Sequence, residues 1–220
     1  MTIDYHSHCL PGIDDGAVNA EMGVKMLEKL KSQGVGTVCL TPHYNVSMTV
    51  EEFLERRERS FKHLMDEAEG KDLPKLVLGA EVHISQGLCD VSDLDKLCYE
   101  GTDRMLLELP YSSYSPWMNC EIDSVIARYK ISPVMAHVER YAEWYKWPDD
   151  FFDKFEYSDA VYQFNVESLS PFFFRMKIKR LLSEGLTAVF GSDTHNMTTR
   201  APRFDLYEKY IDKSLVYHVF

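Results

Sequence analysis

A repeated alternation limits the folds open to this chain. Short apolar runs of strand character recur along the chain, each followed by a stretch with helical spacing of its apolar residues. The strand-type runs are residues 2–6, 36–41, 75–81, 104–108, 132–137, 160–165 and 187–192. Between them, residues 20–33 place Val24, Leu27 and Leu30 on one helical face and meet Gly34 as a stop signal. Residues 50–70 are long and charged, with Phe53, Leu54, Phe61 and Leu64 as the apolar stripe. Residues 116–130, 147–156 and 170–185 read as further helices. Buried strands alternating with helices dictate an α/β architecture with a parallel sheet, open or closed into a barrel. The 220 residues contain no linker, repeat or low-complexity tract, so residues 1–220 read as one domain.

The ends of the strand-type runs carry the chemistry. They read His6, His43, Glu81, Glu108, His137, Asn165 and Asp193, with His195 just beyond. His6 and His8 are two apart, which on a strand turns both imidazoles to one face. In a (β/α) barrel the carboxyl ends of the strands converge on the face where active sites are built. Buried His, Asp and Glu side chains are costly unless paired or bound to a metal. Any one of these residues is as readily a helix cap or loop residue; the whole set is not explained that way.

The candidate metal ligands are His6, His8, Asp15, His43, Glu81, Glu108, His137, Asp193 and His195. That set is too large for one ion and suits two or three. It contains no cysteine, which points to Mn²⁺, Fe²⁺ or Zn²⁺ and away from a structural thiolate site. Glu81 is the expected bridge between ions, and Asp15 is expected on an ion next to the one held by His6 and His8. Ions clustered about 3.5–4 Å apart activate water and clamp a phosphoryl group for in-line displacement. Arg140 and Arg200, each shortly after a ligand, supply guanidinium forks that match phosphate oxygens.

The formal net charge of −11 and the lack of a basic run exclude nucleic acid and an anionic membrane surface as partners. No apolar run approaches the roughly 20 residues of a membrane span. The chain opens on a strand pattern with no basic-then-apolar leader, and its five unevenly spaced cysteines read as reduced thiols, so a cytoplasmic location is expected. Cys98 and Arg104 have the C-x5-R spacing of cysteine-dependent phosphatases. Glu100 and Asp103 inside that loop would repel phosphate and raise the thiol pKa, so Cys98 is expected in the core. His63 is expected in solvent, His83 at a partly buried edge and His218 in a structural role.

These residues carry a family resemblance. Asp4-Tyr5-His6-Ser7-His8, Asp14-Asp15-Gly16, Thr41-Pro42-His43, Gly79-Ala80-Glu81, Leu107-Glu108, Ala136-His137-Val138-Glu139-Arg140-Tyr141 and Ser192-Asp193-Thr194-His195-Asn196 occur in order over about the first 200 residues. The chain resembles the polymerase-and-histidinol-phosphatase (PHP) superfamily. Within it, the resemblance is to the manganese-dependent protein-tyrosine phosphatases of bacterial capsule and exopolysaccharide loci (the CpsB/YwqE group). The resemblance implies a distorted (β/α)7 TIM-like barrel and a three-metal site held by the nine ligands above. It also implies Mn²⁺ as the metal, with Arg140 and Arg200 on the phosphate. The implied substrate is phosphotyrosine on the tail of a cognate bacterial tyrosine kinase. Pro110-Tyr111 and residues 141–147 have no assigned place in this pattern, and the chain ends at Phe220, short of the expected family length. The rival readings are a histidinol-phosphatase-like small-molecule phosphoesterase and a non-catalytic PHP scaffold; the scaffold predicts missing ligands, and none is missing.

Overall fold

The computed structural model describes residues 2–220. Strand β1 (Thr2–Ser7) pairs in parallel with β2 (Val35–Leu40), which pairs with β4 (Lys75–Leu78). A second parallel sheet runs β3 (His43–Tyr44), β5 (Glu81–His83), β6 (Arg104–Glu108), β7 (Ser132–Met135), β8 (Val161–Asn165), β9 (Ala188–Gly191). The expected runs are all present. The third, however, is broken into β4 and β5, a two-residue strand β3 follows the second, and the ladder is divided into sheets of three and six strands rather than one continuous seven-strand wall.

The breaks have local causes. Pro42, between β2 and β3, lacks an N–H and disfavours continuing a regular strand. Gly79 lies between β4 and β5, where a Cβ would meet the Tyr99 ring at 2.9 Å. Irregular hydrogen bonds span both breaks: Gly79 N–H donates to Leu40 O and Glu81 N–H to Pro42 O, each at 3.0 Å. Glu81 therefore opens a short strand instead of ending a long one. On the other side, Asp193 N–H donates to His6 O (2.7 Å), His8 N–H donates to Thr194 O (3.0 Å), and Ser7 bridges Thr194 in parallel.

The helices follow from their caps and stripes. Helix α1 (Ala20–Ser32) begins where the Asn19 side chain accepts Met22 N–H, and Gly34 follows its end with φ +89. Helix α2 (Val50–Glu67) opens on a capping box between Thr49 and Glu52. Helices α3 (Pro116–Tyr129), α4 (Asp149–Lys154) and α5 (Phe172–Ser183) match expected stretches, α4 and α5 in shortened form. A sixth, α6 (Asp205–Tyr210), is not foreseen by the spacing.

The main core lies where the helices bury their stripes on the sheets, with Val24, Leu27, Leu30, Phe53 and Leu64 all buried. A separate small cluster takes residues from strand after strand, among them Tyr5, Cys39, Val77, Leu106, Val134, Val161 and Val189. It packs the region beneath the strand ends that carry the polar residues.

Candidate metal centre

At the carboxyl ends of the strands, ligand-type atoms gather into four overlapping sets. In each set one side-chain N or O per residue lies within 4.8 Å of the others. The sets are His8, Asp15, His43 and His195; His6, His8 and Asp193; His6, Glu81 and His137; and His43, Glu81 and Glu108. All the ligands expected from the sequence fall in at least one set. Glu81 occupies the middle. Its Oε2 is 3.1 Å from His6 Nε2, 3.3 Å from His8 Nε2 and 2.9 Å from His43 Nδ1, and its Oε1 is 2.8 Å from His137 Nε2. Asp15 stands on the outer side, 3.3 Å from both His43 Nε2 and His195 Nε2.

These donors fit divalent cations. His6, His8, Glu81, His137, Asp193 and His195 are buried, yet Glu81 Oε2, His137 Nδ1 and His195 Nε2 make no well-aligned hydrogen bond, although ring nitrogens crowd Glu81 Oε2 and a carboxylate oxygen stands near His195 Nε2. Buried polar atoms left unpaired cost free energy, and cations held by the sets that contain Glu81 and His195 would engage Glu81 Oε2 and His195 Nε2.

An outer layer of groups aims the imidazoles. His6 Nδ1 lies 3.1 Å from Gln163 Oε1, His8 Nδ1 lies 2.8 Å from Asp14 Oδ2, and His195 Nδ1 lies 3.0 Å from Asp193 O. Each contact engages Nδ1 and turns Nε2 toward the cluster, the nitrogen that would face a cation. Gln163 Nε2 then donates to Asn165 Oδ1 (2.9 Å), and Asn165 Nδ2 donates to Asp193 Oδ2 (3.0 Å). Asp14 and Gln163 are absent from the expected ligands, as outer-layer residues would be. The Asp14-Asp15 pair and the alternation Gln163, Asn165 on β8 were the only signals in the sequence.

The backbone is unusual at two of these positions. His137 and Asp193 have φ of 29 and 48, a region that non-glycine residues rarely adopt. Glycines permit close approach elsewhere: a Cβ on Gly191 would stand 2.5 Å from His6 Cβ, and one on Gly16 2.5 Å from His8 Cβ.

Both arginines converge on one carboxylate. Arg140 Nη2 pairs with Asp193 Oδ2, and Arg200 Nη2 lies 2.8 Å from Asp193 Oδ1. Each guanidinium side chain remains about a third exposed, so its outward donors face solvent. Tyr111, unassigned in the sequence, brings its hydroxyl 3.3 Å from Arg140 Nη1 and 3.4 Å from His137 Nε2.

The electrostatics follow from crowding opposite charges out of water. Burial pushes the Asp193 carboxyl up, but His6, His8 and Arg140 outweigh it and hold its pKa well below the usual carboxylate value. Burial likewise opposes the ionised form of Glu108, but His137 and His83 bring it down to about 2. Burial lowers His195 to about 4, helped by the charge on His8, so its imidazole is neutral. His83, expected at a partly buried edge, has Nδ1 3.0 Å from Glu108 Oε2 and orients that carboxylate.

The remaining sequence candidates fall outside. His63 and His218 are exposed. Burial, with Asp95 and Asp103, pushes the Cys98 thiol up to about 12, the reverse of an activated nucleophile. Arg104 turns away to Asp159 O and the Tyr217 ring. Among the described residues no helix is long and apolar enough to cross a membrane.

Comparison with known proteins places this geometry. A family model described as "Capsular polysaccharide synthesis, CpsB/CapC" matches residues 2–218. Tyrosine-protein phosphatase YwqE of Bacillus subtilis is 30% identical over 207 residues, covering 90% of this chain and 79% of that protein. Tyrosine-protein phosphatase CpsB of Streptococcus agalactiae is 25% identical, covering 91% and 85%. A solved structure superposes with a TM-score of 0.76 at 26% identity over 97% of this chain and 89% of the other. It comes from work titled "Crystal structures of YwqE from Bacillus subtilis and CpsB from Streptococcus pneumoniae, unique metal-dependent tyrosine phosphatases". With a match over nearly its whole length, this chain belongs to the CpsB/CapC family of capsular polysaccharide synthesis.

Proposed function

We propose that the protein is a metal-dependent phosphatase that hydrolyses phosphotyrosine on proteins in capsular or exopolysaccharide synthesis. Its substrate is the tail of a cognate bacterial tyrosine kinase in the cytoplasm. One observation carries the reading: ligand atoms from β1, β3, β5 and β6 and from just after β7 and β9 meet in sets within 4.8 Å, with Arg140 and Arg200 both anchored on Asp193 beside them. The parallel strands and the small cluster beneath the site are read as a distorted (β/α)7 barrel.

His6, His8, Asp15, His43, Glu81, Glu108, His137, Asp193 and His195 would hold two or three ions, with Glu81, which belongs to two of the sets, as the shared carboxylate. The metal is Mn²⁺, with Fe²⁺ or Zn²⁺ as alternatives. When bound, such ions activate water and neutralise phosphoryl oxygens. Arg140 and Arg200 grip the non-bridging oxygens through their exposed donors, while Asp193 fixes the rear of both forks. Asp14 and Gln163 keep the His8 and His6 rings from rotating. The leaving phenol, with a pKa of about 10, departs with modest proton assistance.

The test is turnover of a phosphotyrosyl peptide and of histidinol phosphate by Mn²⁺-loaded protein, with and without chelator. Chelator-sensitive release of phosphate from the peptide is expected. Turnover of histidinol phosphate alone would reassign the enzyme, and failure on both would sink the phosphatase reading.

A further inference from the structure

A cavity of about 590 Å³ opens between the turn Val138–Glu143 and the start of α5, and Arg140 and Asn165 belong both to its wall and to the candidate site. Tyr111, Trp144, Pro171 and Phe174 give it an apolar lining, with the Tyr111 and Trp144 rings 5.5 Å apart. Three carboxylates, Glu139, Glu143 and Glu167, share the lining. Glu143 and Glu167 are exposed at the rim. Glu139 is only 7% exposed, and its oxygens accept long 3.3 Å bonds from Asn165 N–H. No Lys, Arg or His nitrogen stands within 4.0 Å of any of the three among the described residues, and Arg140 is paired with Asp193.

We propose that this cavity is a specificity subsite for a lysine or arginine side chain flanking the phosphotyrosine of a protein substrate, an inference that rests on the phosphatase reading above. The aliphatic stem of such a residue lies against Trp144 and Phe174, and its cationic head meets the aromatic faces and the rim carboxylates. The same carboxylates repel an acidic neighbour, so the pocket selects by charge as well as by shape.

The experiment uses Mn²⁺-loaded full chain and a set of phosphotyrosyl peptides of equal length. Arg, Leu, Tyr or Glu is placed in turn at each position within about three residues of the phosphotyrosine. At one position the Arg peptide should exceed the Leu peptide in kcat/KM by roughly tenfold, and the Glu peptide by more. The advantage should shrink at about 0.5 M salt and in the Glu143→Gln/Glu167→Gln double variant. A Leu or Tyr peptide that matches or beats Arg overturns the basic occupant, as does an Arg preference untouched by the double variant. Equal hydrolysis of all the peptides overturns the subsite and leaves the phosphatase reading standing. If neither the peptides nor p-nitrophenyl phosphate is hydrolysed, that reading fails and the subsite with it.

Discussion

Gln163 Oε1 lies 3.1 Å from His6 Nδ1 and also accepts the His137 backbone N–H at 2.7 Å. One amide oxygen thus fixes the ring of one candidate ligand and the backbone of another, at a residue with φ of 29. Replacing Gln163 by Leu should weaken Mn²⁺ binding roughly 10- to 100-fold, as loss of outer partners does at metal sites. It should also cost about 1–3 kcal/mol of stability through the stranded His137 N–H. Titration calorimetry and denaturant unfolding measure the two effects, and unchanged affinity would mean that Gln163 does not hold His6.

Gly191 leaves room for His6. A Cβ there would stand 2.5 Å from His6 Cβ and 3.0 Å from His6 N. Gly191→Ala should therefore displace β1 from β9, destabilise by about 1–3 kcal/mol and lower bound metal. Thermal melting with metal analysis reads both. A variant with normal metal content would show that the strand ends yield more than their burial suggests.

Metal affinity should rise with pH. Burial alone would strip the proton from His137, but Glu108 and Glu81 outweigh it and hold its pKa at about 9 in the metal-free protein. A cation binding through Nε2 has to displace that proton. Below about 9 the proton competes, so apparent affinity climbs roughly tenfold per pH unit for each displaced proton and levels off above it. Calorimetry at pH 7 in buffers of different ionisation enthalpy should count about one proton or more released. No release would place His137 outside the ligand set.

Arg140 and His6 should separate catalysis from metal binding. Arg140→Ala is expected to retain metal and lose roughly 10²–10³ in kcat on phosphotyrosyl peptide, because it removes a donor to developing charge. His6→Ala is expected to lose metal first and activity in consequence. Metal content and turnover measured on the same samples check this. Metal loss in Arg140→Ala comparable to that in His6→Ala would make Arg140 a support for Asp193, not a phosphate ligand.

Cys98→Ser should leave turnover within about twofold of the parent. The thiol, pushed up to about 12 chiefly by burial, is protonated at neutral pH and remote in role from the cluster. Iodoacetamide should likewise fail to inhibit. Inactivation of the parent but not of the variant would restore a cysteine mechanism.

The alternation of strands and helices and the residue types at the strand ends follow from local patterning along the chain. Both are local: burial enforces apolar runs, and a buried imidazole or carboxylate at the end of such a run stands out against them. His6, His43, Glu81, Glu108, His137 and Asp193 were legible for that reason. The rest depends on long-range packing. The breaks at Pro42 and Gly79 turn Glu81 from the end of one strand into the start of another, among four histidines at once. Pairing of Gln163 with His6 joins residues 157 apart in the chain, and pairing of Arg140 and Arg200 with one carboxylate depends on the ends of β7 and β9 meeting. Spacing encodes which face a side chain takes on its own element; which partner it meets there is fixed only when parallel strands bring their carboxyl ends together.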